Sequence, residues 1–328
     1  MAVLAVGCVV ALLGMGGALL IGESVDVMGV LAGGGSATER FIFWELRVPR
    51  VLAAAAVGGG LAVAGGAFQG LLRNPLAEPY LLGISGGGSF GAVLAIVAFG
   101  GTAAAIPARG VGALVGCLLA LSIVYWMATR RGVVQPATLL LAGVVTNAFF
   151  LAGLSAVQYA ATPTEAQVIL RWVMGGVTRP EPLELAGLAF LTLAATVWIT
   201  LDAGRLNLLA FGEETARSLG VNVESVRRRV FVITSLAVAA SVAVAGPIGF
   251  VGLFVPHAVR LIVGADHRVL IPASFLLGAA FLPLADAVAR VVIAPRELPV
   301  GVVTALVGAP LFGLLLARHR AGGGGLSS

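Results

Sequence analysis

The side chains able to do chemistry in this chain are mostly arginines. All 20 basic residues are arginine, and lysine is absent. A Walker-A loop uses a lysine to reach the β- and γ-phosphates, so the chain cannot run a P-loop ATPase by itself. Arg47-Val-Pro-Arg50 places two guanidiniums at the opening of an apolar run. Such a pair anchors a helix at an interface, with Pro49 in the first turn where its missing N–H costs nothing, or it offers bidentate docking to carboxylates. Asp286 and Arg290, four residues apart, can pair on one helix face. His257 and Arg260, three apart, read as a structural contact. Cys8 and Cys117 stand far apart without metal-ligand spacing and read as small packing residues, with no disulfide or metal implied. No row of carboxylates crosses an apolar run, so a proton relay is not visible.

The elements that must hold these residues are set by composition. Hydrophobic residues make up 59% of the 328 and charged residues 11%, with a mean hydropathy of +1.06. Soluble domains carry about 25% charge, so lipid is the solvent for most of this chain. A net charge of +5 would suggest nucleic acid in a soluble protein. Here the arginines fall between apolar runs and mark topology, and no nucleic-acid partner is expected. Charge-free stretches cover 2–22, 51–72, 79–108, 111–129, 132–164, 185–201, 230–259, 269–285 and 298–317, and a bilayer helix needs about 20 residues. The stretch 230–259 is too long for one span and breaks at Gly246-Pro247, since proline disrupts a helix interior. Turning back there puts twelve arginines on one side and eight on the other, the bias expected of a cytoplasmic face. The reading is ten spans with both termini cytoplasmic. The first span lacks a basic n-region and a cleavage site and is read as retained.

Gly66-x-x-x-Gly70 and Gly112-x-x-x-Gly116 allow close helix approach where lipid gives no drive to associate. Residues 83–91 contain G-x-G-x-x-G, but no strand precedes it, which argues against a dinucleotide fingerprint. Pro75 and Pro79 force a non-helical turn just before it. Irregular backbone at membrane depth must be covered by protein or line a cavity, so a pathway or gate lining is expected there. The longest polar stretch, Asp202 to Arg229, reads as two short helices. The first ends at Gly220 and the second runs into Arg227, Arg228 and Arg229. Either it is a solvated loop, or Leu219 and Val221 sit against a cytoplasmic partner.

Taken in order, Arg47-Val-Pro-Arg50, Gln69, Asn74-Pro-Leu-Ala77, Pro79 and Leu82-Gly-Ile-Ser85 form a recognisable series. Leu139-Leu-Leu-Ala-Gly143, Trp172-Val-Met-Gly175, Gly246-Pro-Ile-Gly-Phe-Val-Gly-Leu, Pro256-His257 with Arg260, Glu297-Leu-Pro-Val-Gly-Val-Val-Thr and Gly308-Ala-Pro310 continue it. Together they resemble the permease subunits of the iron-chelate and vitamin B12 ABC importers along the whole chain. The resemblance implies an all-α polytopic membrane protein with ten transmembrane helices, a single permease domain over 1–328, working as a homodimer in a bacterial or archaeal inner membrane. It implies two cytoplasmic ATPase subunits that bind ATP and Mg, a substrate-binding protein outside, and no cofactor in this chain. By position, Arg47, Arg50, Arg290 and Arg296 would dock the binding protein, and Asn74 and Leu76 would belong to a cytoplasmic gate. Coupling helices at about 205–229 would meet the ATPase through Glu213, Ala216, Arg217, Leu219 and Gly220. Val134-Gln-Pro-Ala-Thr138 lacks the hydroxyl pair that some relatives carry at a second gate.

The function implied is translocation of a metal chelate (ferric siderophore, haem or cobalamin) by alternating access. The rival classes are a secondary transporter driven by an ion gradient, which calls for midplane carboxylates, and an intramembrane enzyme, which calls for a nucleophile–base pair or metal set within the spans.

Overall fold

The computed structural model describes residues 2–22, 25–100, 102, 105–130 and 133–322. Arg131, counted above as cytoplasmic, lies outside them, and the side chains of Arg130, Pro136, Arg318 and Arg320 are likewise not described. The elements are α1 (Ala2–Leu20), α2 (Val27–Leu31), α3 (Ala37–Phe41), α4 (Val48–Leu72), α5 (Ile84–Phe99), α6 (Ala105–Ala128) and α7 (Pro136–Ala160). They continue with α8 (Pro163–Val173), α9 (Pro182–Ala210), α10 (Glu213–Ser218), α11 (Val223–Ala245), α12 (Val251–Val263), α13 (His267–Val291) and α14 (Val300–Gly322). A π-helical turn, Ile42–Arg47, leads into α4, and a 3-10 turn, Pro79–Leu82, precedes α5. The only strands among the described residues are β1 (Thr129–Arg130) and β2 (Val133–Val134), an antiparallel pair.

Among the described residues, seven helical runs are long and apolar enough to cross a membrane, and three shorter apolar helices of 10–17 residues join them at Ile84–Phe99, Val251–Val263 and Val300–Gly313.

 The run containing α4 is 94% buried over its most apolar window, against 17% for α1. A helix apolar all round belongs inside a bundle, and α4 is the centre of this one. It packs against α13, α9, α11, α12 and α1.

Glycine makes these contacts possible. A Cβ on Gly58 of α4 would strike the Gly278 carbonyl of α13, and one on Gly278 would strike the Gly58 carbonyl. Gly65 meets Gly252 of α12 in the same way. Gly112 and Gly116 of α6 lie against Gly91 and Gly87 of α5, so that small-residue pair is a contact within the chain. Gly66 and Gly70 face Pro256, Ile271 and His267.

The chain turns back where Gly246-Pro247 predicts. α11 stops at Ala245, Gly246 takes φ +67°, and α12 begins at Val251. Three expectations need correction. The stretch 132–164 is not one helix: α7 ends at Ala160, and a capping box between Thr162 and Glu165 starts α8. Residues 83–89 line no pathway within the chain, because they are buried, with Gly86 against Asn147 of α7 and Gly88 against Cys117 of α6. Cys117 is buried as a filler, but Cys8 is exposed on α1.

Gly87→Val would push a branched side chain into the Gly116 backbone and the Ala120 methyl, and overpacking of this kind costs about 1–3 kcal/mol. The detergent-solubilised protein is expected to unfold at a lower temperature. Gly176→Ala, with no atom within 4 Å of the added methyl, is expected to match the parent.

Candidate functional site

Charged side chains gather at the two ends of α4. At its first turn Arg50 donates to both oxygens of Asp286 on α13, Nε to Oδ2 at 2.9 Å and Nη2 to Oδ1 at 3.0 Å. Its Nη1 donates to Glu297 at 3.0 Å. Arg290, one turn beyond Asp286, lies 3.5 Å from the same carboxylate, the pairing that the four-residue spacing allows. Arg290 Nη2 also donates to the Ala18 carbonyl at 2.8 Å, and Arg47 Nη1 donates to Leu19 O at 3.1 Å. Ala18 and Leu19 end α1, where carbonyls lack helical partners and the helix dipole favours cations. Arg47 and Arg290 therefore cap α1 and tie it to α4 and α13.

The four arginines assigned to docking are thus brought to one end but not equally displayed. Arg47 is 7% exposed, Arg50 and Arg290 are half-buried, and Arg296 is exposed. Beside them a cleft of about 850 Å³ is lined by Arg50, Asp286, Arg296 and Glu297, together with residues of α6 and α8.

At the other end of α4, Arg73 takes φ +49° and closes the helix. Asn74 Oδ1 accepts from the Leu76 N–H at 2.9 Å, and this turn leaves Leu76 41% exposed. Arg73 lies 3.9 Å from Glu213 at the start of α10. Glu213 also binds Arg227, which donates to Glu224 at 3.0 Å and to Val134 O at 2.6 Å. Arg217 bridges Glu213 at 3.4 Å and Glu224 at 3.8 Å. Asp202, buried on α9, holds Arg205 and Arg229.

Two readings of this segment change. The second short helix is not separate: Asn222 caps Ser225 N–H at 3.0 Å, and α11 runs unbroken from Val223 into its span. Ala216 is fully buried within the chain, so it cannot be a contact with another protein. It faces inward because α10 lies on α9 and α11. Leu219 is 60% exposed, and Gly220 follows it at φ +82°. Glu213 and Arg217 are struts of the internal network as well as partly accessible groups.

Sequence reasoning took Arg227, Arg228 and Arg229 as one topology marker, and it missed that Arg227 is a buried hub. The signal was Glu224, three residues before Arg227 on the same helix face. It also missed Glu78, which accepts from the Phe250 N–H and holds the α11–α12 break against the turn after α4. Asp266, which caps α13, is held below the usual range by the Arg268 backbone N–H and by the Asn207 amide.

An all-helical bundle, apolar along its length and charged at its ends, is the architecture of a multi-pass membrane permease. The chain belongs to the FecCD transport family, whose profile matches residues 2–318. It is 41% identical over 289 residues to the uncharacterized ABC transporter permease protein YvrB of Bacillus subtilis, covering 86% of this chain and 80% of that protein. It is 42% identical over 287 residues to the cobalamin import system permease protein BtuC of Halobacterium salinarum, covering 86% and 75%. The hemin transport system permease protein HmuU of Yersinia pestis is 40% identical over 281 residues, with 85% and 84% covered. A solved structure described as an inward-facing conformation of a metal-chelate type ABC transporter superposes with a TM-score of 0.86 at 32% identity, over 97% of this chain and 99% of that one.

Arg227→Gln would remove the buried cation that Glu213 and Glu224 share and leave them only the more exposed Arg217, at 3.4 and 3.8 Å. The expected loss is about 1–3 kcal/mol, below the figure for a fully buried pair because both carboxylates keep contact with water. Limited proteolysis near α10 should become faster, and an unchanged cleavage rate would remove Arg227 from its place as the hub.

Proposed function

We propose that this chain is the permease subunit of an ATP-binding-cassette importer that carries a metal chelate across the inner membrane by alternating access. The observation that carries this reading is likeness over the whole chain, to the FecCD family and to a metal-chelate type transporter. The names of the cobalamin and hemin relatives support a ferric siderophore, haem or cobalamin as cargo. Among the described residues, seven long apolar helices and three shorter ones support ten spans in one permease domain. The end carrying α10 is cytoplasmic, as are both termini, and the Arg50 end faces outward.

Two copies enclose the pathway. Two ATPase subunits, which bind ATP and Mg, seat on the α10 end through Leu219, with Gly220 and the accessible edges of Glu213 and Arg217 beside it. Asn74 and Leu76 lie at the same end and form the cytoplasmic gate. A substrate-binding protein docks outside on the surface organised by Arg47, Arg50 and Arg290, with Arg296 exposed upon it. Moving such a two-state equilibrium from 1:99 to 99:1 takes about 5.5 kcal/mol of differential binding, which nucleotide and docking contacts together can supply.

Proteoliposomes holding the permease, its ATPase and its binding protein are expected to accumulate chelate only with ATP. Accumulation driven by an ion gradient without the ATPase would overturn the proposal in favour of a secondary transporter. Leu219→Glu alters an exposed side chain and is expected to release the ATPase during co-purification. Full retention would count against Leu219 as a coupling contact.

A further inference from the structure

Arg227, Arg228 and Arg229 occupy consecutive positions on α11, and a helix of about 3.6 residues per turn sends them in three directions. Arg227 points inward to Glu213 and Glu224. Arg229 turns to α9, where its Nε and Nη2 donate to Asp202, each at 3.2 Å, while its Nη1 donates to Ser225 at 2.7 Å. Arg228 is exposed and forms no ion pair or hydrogen bond among the described residues. Glu224, four residues before it, is spaced to pair with it. That carboxylate is taken instead by Arg227 at 3.0 Å and by the Val134 N–H at 3.1 Å.

Beside Arg228 a groove of about 460 Å³ runs between α9 and α11, lined by Trp198, Arg228, Arg229, Val232 and Ile233. Val232 and Ile233 follow Arg228 by about one turn, so charge gives way to hydrocarbon within about 6 Å along the axis. Trp198 is exposed on the side of α9 that also shows Phe190, Val197 and Leu201. On α6, which packs against α11 as α9 does, Trp126 is exposed as well. Tryptophans beside arginines at the ends of apolar helices mark the level of lipid headgroups. The charge at this level is unbalanced. Asp202 is shared by Arg205 and Arg229, which leaves a positive charge before Arg228 is counted. Arg229 uses three N–H groups on Asp202 and Ser225, and a guanidinium carries five.

We propose that this groove is a binding site for an anionic phospholipid, with Arg228 and the remaining N–H groups of Arg229 on the phosphate. The acyl chains lie along Trp198, Val232 and Ile233. A free anion would leave the apolar half of the groove bare, and a neutral lipid would leave the positive charge unmatched. A second copy of the chain is the poorer occupant, because an interface that repeats one patch on both sides would oppose arginine to arginine. The site rests on the membrane reading above and on the α10 end facing the cytoplasm, where the leaflet surface is negative and basic pockets between spans hold headgroups. Arg229 also lines the hollow formed with Leu219 and Gly220, so the headgroup adjoins the segment proposed to seat the ATPase.

The test is native mass spectrometry of the full-length permease in detergent, titrated with phosphatidylglycerol or with phosphatidylcholine of the same acyl chains. It needs no ATPase, cargo or transport, so its outcome is separate from that of the importer reading. The parent is expected to hold its first phosphatidylglycerol about fivefold or more tighter than phosphatidylcholine, the worth of about one basic group at an anionic surface. Arg228→Gln is expected to remove most of that preference and Arg228→Lys to keep it. Arg228 has no internal partner among the described residues, so both variants are expected to fold as the parent does. Equal retention of the two lipids by the parent, or a preference unchanged in Arg228→Gln, would overturn the site. Displacement of the lipid by inorganic phosphate at the same concentration would make this a free-anion site and overturn the lipid assignment. Loss of a second copy in Trp198→Ala, with lipid retention unchanged, would make the groove a contact between copies and overturn it too.

Discussion

Backbone meets backbone where α4 crosses α13, at Gly58 and Gly278, and the rest of the bundle is arranged around that approach. In lipid there is no hydrophobic gain from pressing two apolar helices together, so association depends on close van der Waals contact. A side chain at either position would hold the helices apart. The same device recurs where Gly65 meets Gly252 and where Gly87 and Gly91 meet Gly116 and Gly112. One helix can therefore serve as the axis for several neighbours.

That axis also joins the two charged ends. At one, Arg50 holds Asp286 while Arg47 and Arg290 take the last carbonyls of α1. At the other, Arg73 approaches Glu213, whose carboxylate belongs to the Arg227 network. A helix locked at both ends by ion pairs moves as a unit with whatever those pairs hold. In the proposed transport cycle, α4 carries with it the turn of Asn74 and Leu76 and, through Arg73 and Glu213, the start of α10.

Much of the fold was legible in the sequence. The break at Gly246-Pro247 follows from proline chemistry, the pairing of Asp286 with Arg290 from helical spacing, and the turn at Pro75 and Pro79 from the same restrictions on backbone angles. The family series of motifs was legible as well. What escaped was facing. Ala216 and Leu219 are three residues apart in one polar stretch, yet one is buried and the other exposed. Arg227, Arg228 and Arg229 are adjacent, yet only the first is buried. A short helix has too few turns for periodicity to reveal which side meets the bundle.

The sequence by itself determined that this chain lives in lipid, where its helices break, and which residue types stand at their ends, because hydropathy, proline and glycine act locally. Only the tertiary structure decided which arginines are engaged and which are available. An arginine is taken or left by acceptors hundreds of residues away, as Arg50 is by Asp286 and Arg290 by Ala18, and no local pattern encodes that distance.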